Sequence, residues 1–215
     1  MTPFNEWHYM FPPRPRTAIP FGDIARYADG RWQAQVKLKG TRNVIAVSPD
    51  GEVDFWNRHK SRHGAWTPPV WLTDEVRGRF ACGKWTALDS ELLHSKHRSV
   101  KDTLYLFDAL VLGAQHLVGE TCESRHAGLV AACGAVGPDV PGCGGHVAEV
   151  GRGLWLARMI PPDGWGDAWD AMAKNPVAEG LVLKRVKARL EPGRSEENNG
   201  AWQIRCRKAT KSYPF

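Results

Sequence analysis

Apolar and polar residues alternate with the period of a β-strand between residues 32 and 56. Turn-forming residues interrupt the alternation at Lys39-Gly40-Thr41 and at Pro49-Asp50-Gly51, and they divide the segment into three strands. Strands that are joined by short turns usually pair antiparallel. We therefore predict an antiparallel sheet whose first turn is a hairpin-like corner at Gly40.

Farther along the chain, helical and strand-like patterns alternate. Helical spacing predicts helices over residues 72–80, 123–133 and around 165–172, and strand composition predicts strands over 85–93, 104–112, 154–160 and 201–208. The run 104–112 is apolar almost throughout, which is typical of a strand that is buried on both faces. In the last strand, alternation turns Ile204 and Cys206 inward and Arg205 and Arg207 outward. These patterns predict an α+β fold of antiparallel sheets packed with helices.

The first thirty residues contain a proline-rich stretch, Phe11-Pro12-Pro13-Arg14-Pro15-Arg16, which cannot be helical. We expect this stretch to lie extended across the core. The prediction is therefore a single domain over residues 1–215, with residues 1–30 as a lead that packs on it.

Composition narrows the classes of function. The chain has 215 residues, of which 42% are hydrophobic, and its formal net charge of +6 favours an anionic partner, with nucleic acid first and a membrane surface second. No apolar run approaches the roughly 18 residues that cross a bilayer, and the amino terminus has no secretory apolar core, so we expect a cytoplasmic protein. Five cysteines without a Cys-x-x-Cys pair argue against a disulfide framework and a structural zinc site.

Lys37 is the first candidate for chemistry because it stands at the end of a strand-like run, beside the turn at Gly40. A lysine amine is a poor nucleophile while it is protonated, so a site that uses it must desolvate it or place positive charge nearby. Lys39 and Arg42 are in position to supply such charge. From these residues alone, a basic surface hairpin with solvated lysines remains the alternative.

Six short segments resemble, in the same order, the motifs of the covalent nucleotidyltransferase superfamily, which contains polynucleotide ligases and mRNA-capping enzymes. They are Lys37-Leu38-Lys39-Gly40 (motif I), Phe55-Trp56-Asn57-Arg58 (Ia), Leu88-Asp89-Ser90-Glu91-Leu92 (III), Tyr105-Leu106-Phe107-Asp108-Ala109-Leu110 (IIIa), Glu179-Gly180-Leu181-Val182-Leu183-Lys184 (IV) and Ile204-Arg205-Cys206-Arg207-Lys208 (V). The resemblance covers residues 37–208, nearly the whole chain. It implies a nucleotidyltransferase (adenylation) domain, with the nucleotide bound between the sheets.

The resemblance also implies roles for individual residues. Lys37 becomes covalently joined to the nucleoside monophosphate, and Glu179 helps to hold a catalytic Mg²⁺ or Mn²⁺ ion. Glu91 binds a ribose hydroxyl and Phe107 stacks on the purine. The complete set of candidate nucleotide-binding residues is Lys39, Gly40, Arg42, Arg58, Glu91, Phe107, Lys184, Arg205 and Arg207.

Simpler interpretations of several of these residues stay open. Phe107 could be an ordinary core residue, and Arg58 could belong to a solvated loop. Glu179 and Lys184 could flank an exposed strand; alternation places their side chains on opposite faces, so both reach one site only if a strand end or a twist turns one of them.

The motifs depart from the family pattern in two places. Lys39 stands where an acid, histidine or asparagine is usual, and Arg205 and Arg207 stand where lysines are usual. Both departures keep or add positive charge, so we expect phosphate binding to survive. They leave open the rate of lysine attack and the choice of substrate.

The activity that the resemblance implies is that of an ATP-dependent polynucleotide ligase, closest to the RNA ligases that seal nicks. Such an enzyme joins 5′-phosphate and 3′-hydroxyl ends of RNA or DNA through a lysyl-AMP intermediate. We expect a monomer, although no OB-fold domain follows motif V and a partner protein could supply one. The alternatives are a non-catalytic nucleic-acid-binding protein with the same fold, and a capping-type guanylyltransferase.

Overall fold

The computed structural model describes residues 2–96, 98–196 and 200–209, and these form two β-sheets flanked by helices. The strands are β1 (Thr2–Pro3), β2 (Thr17–Ile19), β3 (Trp32–Leu38), β4 (Thr41–Val47), β5 (Val53–Asn57), β6 (Thr86–Leu93), β7 (Thr103–Leu112), β8 (Gln115–His116), β9 (Val147–Gly151), β10 (Leu154–Ala157), β11 (Ala178–Arg185) and β12 (Gln203–Arg207). The helices are α1 (Val70–Phe80), α2 (Cys122–Cys133) and α3 (Trp165–Ala173), with 3₁₀ turns at Phe21–Tyr27 and Pro162–Gly164.

The larger sheet, which we call the first sheet, has the order β1-β8-β7-β6-β4-β5, with β10 beside β7 and β9 beside β10. The second sheet has the order β2-β12-β11-β3. All neighbours pair antiparallel except β10 with β7 and β2 with β12. This arrangement confirms the predicted α+β fold of antiparallel-dominant sheets with helices, and no OB-fold is evident in the described part of the chain.

The turn at Gly40 corrects the prediction of a hairpin-like corner. Strands β3 and β4 do not pair: β3 pairs with β11 in the second sheet, whereas β4 pairs with β5 and β6 in the first. The physical reason is that distant strands supply the partners of β3 and β4. At the crossing, β6 approaches so closely that a Cβ on Gly40 would lie 2.6 Å from the carbonyl oxygen of Leu92. The chain therefore crosses from one sheet to the other, and residues on either side of Gly40 reach facing walls of the space between the sheets.

Each sheet has its own apolar core. The first sheet packs against α1 and α2 through side chains such as Leu88, Leu106 and Leu129, and the second packs against α3 through Leu181 and Met172. Burying a side chain of this size contributes about 1.5–3 kcal/mol. Among the described residues, no helix is both long enough and apolar enough to cross a membrane.

The amino-terminal segment packs on the first sheet. Phe4, Tyr9 and Met10 are buried in its core, and the ring of Trp7 stacks between Trp56 and Trp85 at centroid distances of 6.2 and 5.8 Å. Residues 11–16 then continue without regular structure towards the second sheet. The assignment of residues 1–215 to one domain stays a prediction.

The second sheet has one apolar and one polar face. Register places Val36, Leu181 and Cys206 side by side on the face that packs against α3. The neighbouring register row brings Lys37, Gly180 and Arg207 together on the opposite face. This polar face is directed towards the first sheet, and it forms one wall of the candidate site.

Candidate active site

A cavity of about 640 Å³ lies between the two sheets. Its volume falls within the range of roughly 300–1,000 Å³ that is typical of small-molecule sites. The second sheet lines it with Gln35, Lys37, Glu179, Lys184, Arg205 and Arg207, and the first sheet and its neighbouring loops line it with Arg42, Arg58, Glu91, Lys96, Tyr105 and Phe107. All six segments that resemble family motifs therefore contribute to one cavity.

Lys37 lies on β3 at the cavity wall. Its Nζ donates a hydrogen bond to Oε2 of Glu179, and a guanidinium nitrogen of Arg207 lies 3.1 Å from the same oxygen. The three side chains are 13–21% exposed, so they are partly shielded from water yet open to the cavity. We refer to these three residues as the cavity ion cluster.

Gly180 explains how Glu179 and Lys184 reach the same cavity. The register between β11 and β3 is irregular between Ala178 and Gly180, and Gly180 has a φ of 141°, which an L side chain rarely adopts. A Cβ at this position would lie 2.1 Å from the carbonyl oxygen of Cys206. The end of β11 is therefore turned at Gly180, which lets the side chains of Glu179 and Lys184 reach the same cavity.

Two of the carboxylates that line the cavity, Glu179 and Glu91, have opposite electrostatic environments. Burial alone would raise the pKa of Glu179, but the charges of Lys37 and Arg207 and the hydrogen bond from Lys37 outweigh it and hold the pKa below its usual value. For Glu91, burial dominates and raises the pKa, although Lys37 and Arg42 oppose the shift. Glu179 is thus stabilised as an anion that binds cations.

Glu91 and Lys96 both contact the turn that carries Gly40. The backbone N–H of Gly40 donates to Oε1 of Glu91 over 3.1 Å, and Nζ of Lys96 donates to the carbonyl oxygen of Gly40. The charge of Lys96 also acts on Glu91 and Glu179. Sequence reasoning missed Lys96 as a site residue because it lies outside every motif, in a basic stretch that looks like solvated surface.

Phe107 lies half-buried in the cavity wall between two cations. Nζ of Lys184 is 5.1 Å from the ring centroid and the guanidinium carbon of Arg42 is 4.9 Å from it. The backbone oxygen of Phe107 accepts hydrogen bonds from Lys184 at 3.1 Å and from Gln35 at 3.2 Å. An aromatic ring at a cavity wall can stack on a planar base.

Arg42 uses most of its hydrogen-bonding capacity within the protein. Its Nε and a terminal nitrogen donate to the two oxygens of Asp89, and that terminal nitrogen also lies 3.1 Å from the carbonyl oxygen of Pro13. Its positive charge is therefore largely offset by the buried Asp89. Of the two acids of motif III, Glu91 lines the cavity and Asp89 serves Arg42.

The other predicted binding residues occupy different positions. Lys39 follows the end of β3, is exposed and is not among the residues that line the cavity. Arg58 is exposed at the cavity mouth and donates to His59 over 2.9 Å. Arg205 lines the cavity and donates to the carbonyl oxygen of Arg16 over 3.2 Å. The roles of these residues stay predictions.

The donor set bears on metal binding. The described residues contain no cluster of three or more His, Cys, Asp or Glu side chains that could hold a metal ion by themselves. Mg²⁺ is commonly held by one or two carboxylates together with substrate phosphate oxygens. The anionic carboxylate of Glu179 at the cavity wall fits that kind of site.

The fold is the one found in nucleotidyltransferase domains of ATP-dependent ligases. A mycobacterial DNA ligase D, solved in complex with ATP, matches 93% of this chain at a TM-score of 0.65 and 19% sequence identity. The ligase domain of M. tuberculosis LigD matches 89% of this chain at a TM-score of 0.60 and 20% sequence identity. A Lig E DNA ligase matches 90% of this chain at a TM-score of 0.52 and 15% sequence identity. No protein-family model and no curated protein matches the sequence.

The likeness is partial in length and low in identity. This chain spans 61% of the mycobacterial ligase D structure, 58% of the LigD ligase domain and 68% of the Lig E structure. Similarity at this level of identity establishes the fold. The chemistry has to be argued from the cavity itself.

Proposed function

We propose that this protein is an ATP-dependent polynucleotide ligase that acts through a covalent lysyl-AMP intermediate. The observation that carries the proposal is the cavity ion cluster: a lysine amine is held by a carboxylate and flanked by an arginine in a cavity large enough for a nucleotide. A protein that only binds nucleic acid has no physical need for a nucleophile beside an acid of this kind. The fold shared with ATP-dependent ligases supports the same conclusion.

In the first step, Nζ of Lys37 in its neutral form attacks the α-phosphorus of ATP. A P–N bond forms, the nitrogen releases a proton to water, the bond between the α-phosphorus and the bridging oxygen breaks, and pyrophosphate leaves. The hydrogen bond to Glu179 holds the amine at the cavity wall until the nucleotide enters. Lys184, Arg205 and Arg207 line the same cavity and offset the charge that develops on the phosphate oxygens.

A divalent cation fits this arrangement. Glu179 would hold it together with phosphate oxygens of the substrate, and the ion would supply additional positive charge against the triphosphate. Phe107 offers its ring to the purine, and Glu91 offers an acceptor for a ribose hydroxyl.

Two further steps complete ligation. An oxygen of a polynucleotide 5′-phosphate attacks the lysyl-AMP, the P–N bond breaks, and the amine of Lys37 is released. A 3′-hydroxyl then attacks the 5′-phosphorus of the adenylylated end, AMP leaves, and a phosphodiester bond forms. The exposed cations at the cavity mouth, among them Arg14 and Arg58, suit the polynucleotide backbone.

The test is covalent labelling. Purified protein with Mg²⁺ or Mn²⁺ and ATP labelled at the α-phosphate should acquire label in an acid-labile, alkali-stable bond. Lys37→Ala should abolish the label because it removes the nucleophile. Lys187→Ala, which removes an exposed lysine that pairs with Glu123 outside the cavity, should leave labelling unchanged.

Two outcomes would count against the proposal. Label that persists in Lys37→Ala would remove the central residue, and label from GTP but not from ATP would favour a capping-type guanylyltransferase. Ligation of nicked RNA and nicked DNA duplexes, measured in parallel, identifies the polynucleotide.

A further inference from the structure

A second group of charges lies behind the cavity wall, in the interior of the first sheet. Asp108 of β7 and Arg125 of α2 form a two-pronged ion pair, with Nε to Oδ1 at 3.0 Å and a terminal nitrogen to Oδ2 at 2.8 Å. The remaining terminal nitrogen of Arg125 donates to the carbonyl oxygen of Glu120 at 2.9 Å. The side chains are 0% and 2% exposed, so water does not compensate either charge.

Lys184 connects this pair to the cavity. The residue is 2% exposed, yet it lines the cavity. It belongs to the second sheet, but its ammonium donates to the carbonyl oxygen of Phe107 in the first sheet. Asp108, the next residue on β7, is close enough for the charge of Lys184 to act on it.

Asp108 and Asp89, on each of which the charge of Lys184 acts, are already paired with an arginine. Asp108 has both oxygens taken by Arg125, and Asp89 has both oxygens taken by Arg42. A planar guanidinium matches a carboxylate in this manner, and the match fixes its geometry. Lys184 therefore bonds to a backbone carbonyl, a weaker partner that leaves donor capacity for a cavity ligand.

We propose that Arg125 is a positioning residue for Lys184: by occupying both oxygens of Asp108, it keeps the ammonium of Lys184 directed to the cavity, where the phosphates of a nucleotide bind. Without Arg125, the Asp108 carboxylate would be buried without its partner, and Lys184, which already bonds to the backbone of the preceding residue and whose charge acts on Asp108, would pair with it. The proposal rests on the proposed function only in taking the ligand to be a nucleotide.

The competing explanation is that the Asp108–Arg125 pair only stabilises the fold. A double-mutant cycle of Arg125 and Lys184 separates the positioning role from a purely structural role. Calorimetry measures the binding of ATP to the folded protein without polynucleotide, and lysyl-AMP formation is measured in parallel. We expect Arg125→Met to weaken ATP binding at least tenfold. In the Lys184→Met background, Arg125→Met should add nothing, because the residue that it positions is already absent.

Neutralising both members of the pair supplies a second readout. Asp108→Asn with Arg125→Met removes the carboxylate that would capture Lys184, so binding should recover to within about threefold of the unmodified protein. Arg125→Lys keeps the charge but cannot bind both oxygens in one plane. Its affinity for ATP should therefore lie between those of the unmodified protein and Arg125→Met. If Arg125→Met does not fold, the cycle is run with Arg125→Lys.

The outcomes are distinguishable. The proposal would be overturned if Arg125→Met weakened ATP binding equally in the presence and in the absence of Lys184. It would also be overturned if the variant with both Asp108→Asn and Arg125→Met bound ATP no better than Arg125→Met alone. Lack of lysyl-AMP in the unmodified protein, with normal ATP binding and the expected coupling, would reject the ligase activity and leave the role of Arg125 supported. Lys187→Ala is the control, because its partner Glu123 also lies on α2.

Discussion

The protein contains two ion clusters of similar chemistry in different surroundings. In the interior pair, Arg125 binds both oxygens of Asp108, and the two side chains are 0% and 2% exposed. In the cavity ion cluster, Lys37 and Arg207 share a single oxygen of Glu179, and all three side chains are partly exposed. In the interior pair, both oxygens of the carboxylate are taken by one guanidinium, and the pair acts as fixed structure. The cavity cluster can exchange the carboxylate for an incoming phosphate, which is what a binding site requires.

The largest expected effect tests the interior pair. Arg125→Met should destabilise the protein by about 3–5 kcal/mol, because it leaves a buried carboxylate without its partner. The free energy of unfolding in urea, followed by circular dichroism, measures this loss. Lys37→Met is the matched substitution in the cavity cluster, where Glu179 keeps Arg207 and access to solvent, and it should cost less than about 1 kcal/mol. If Arg125→Met and Lys37→Met lowered the free energy of unfolding equally, the two clusters would not differ in the way described.

Arg207 tests the cavity cluster through chemistry. Arg207→Ala should raise the barrier to lysyl-AMP formation by about 2–4 kcal/mol, by analogy with the loss of one preorganised donor to the transition state. Arg207→Lys should retain part of the activity, since it keeps the charge without the planar fork. Adenylylation is measured without polynucleotide. Normal adenylylation with weakened binding of a nicked duplex across a salt series would instead assign Arg207 to the polynucleotide backbone.

The smallest effect is a pH dependence. The folded protein holds the pKa of Glu179 below its usual 4.5, so the ionised carboxylate stabilises the fold above about pH 4.5, and this contribution is lost as the pH falls through the lowered value. Glu179→Gln removes it. The difference in unfolding free energy between the two proteins should be below about 1 kcal/mol at pH 7, since the cluster is open to solvent, and should shrink towards pH 3. A difference that grows on acidification would contradict the assigned direction.

Much of the fold could be predicted from sequence because local patterns determine it. The alternation of β12 turns Ile204 and Cys206 into the core and Arg205 and Arg207 towards the cavity, as predicted. The run predicted over 104–112 forms β7 at Thr103–Leu112. The helices predicted over 72–80 and 123–133 are α1 and α2, each beginning one or two residues earlier than predicted.

The predictions from sequence were wrong or incomplete where contacts between distant segments determine the structure. The separation of β3 and β4 into different sheets depends on their pairing with β11 and β6, which lie far along the chain, and no local pattern encodes that pairing. For the same reason, nothing around Arg125 distinguishes it from an exposed helical arginine. Its partner Asp108 lies 17 residues earlier in the chain, in the segment that resembles motif IIIa, where the sequence predicts a binding role for Phe107 alone.

The amino-terminal segment has a consequence for the order of folding. Residues 11–16 complete one side of the cavity by contacts with the end of the chain: Phe11 bonds to Gly193, and Arg16 accepts from Arg205 across 189 positions. Closing so long a loop costs entropy before any contact repays it. We therefore expect residues 11–16 to dock late, although they are synthesised before the segments that they contact. A ribosome-bound chain that lacks β12 would have both sheets begun and no finished cavity, so nucleotide binding would report that β12 has been synthesised and has paired with β11.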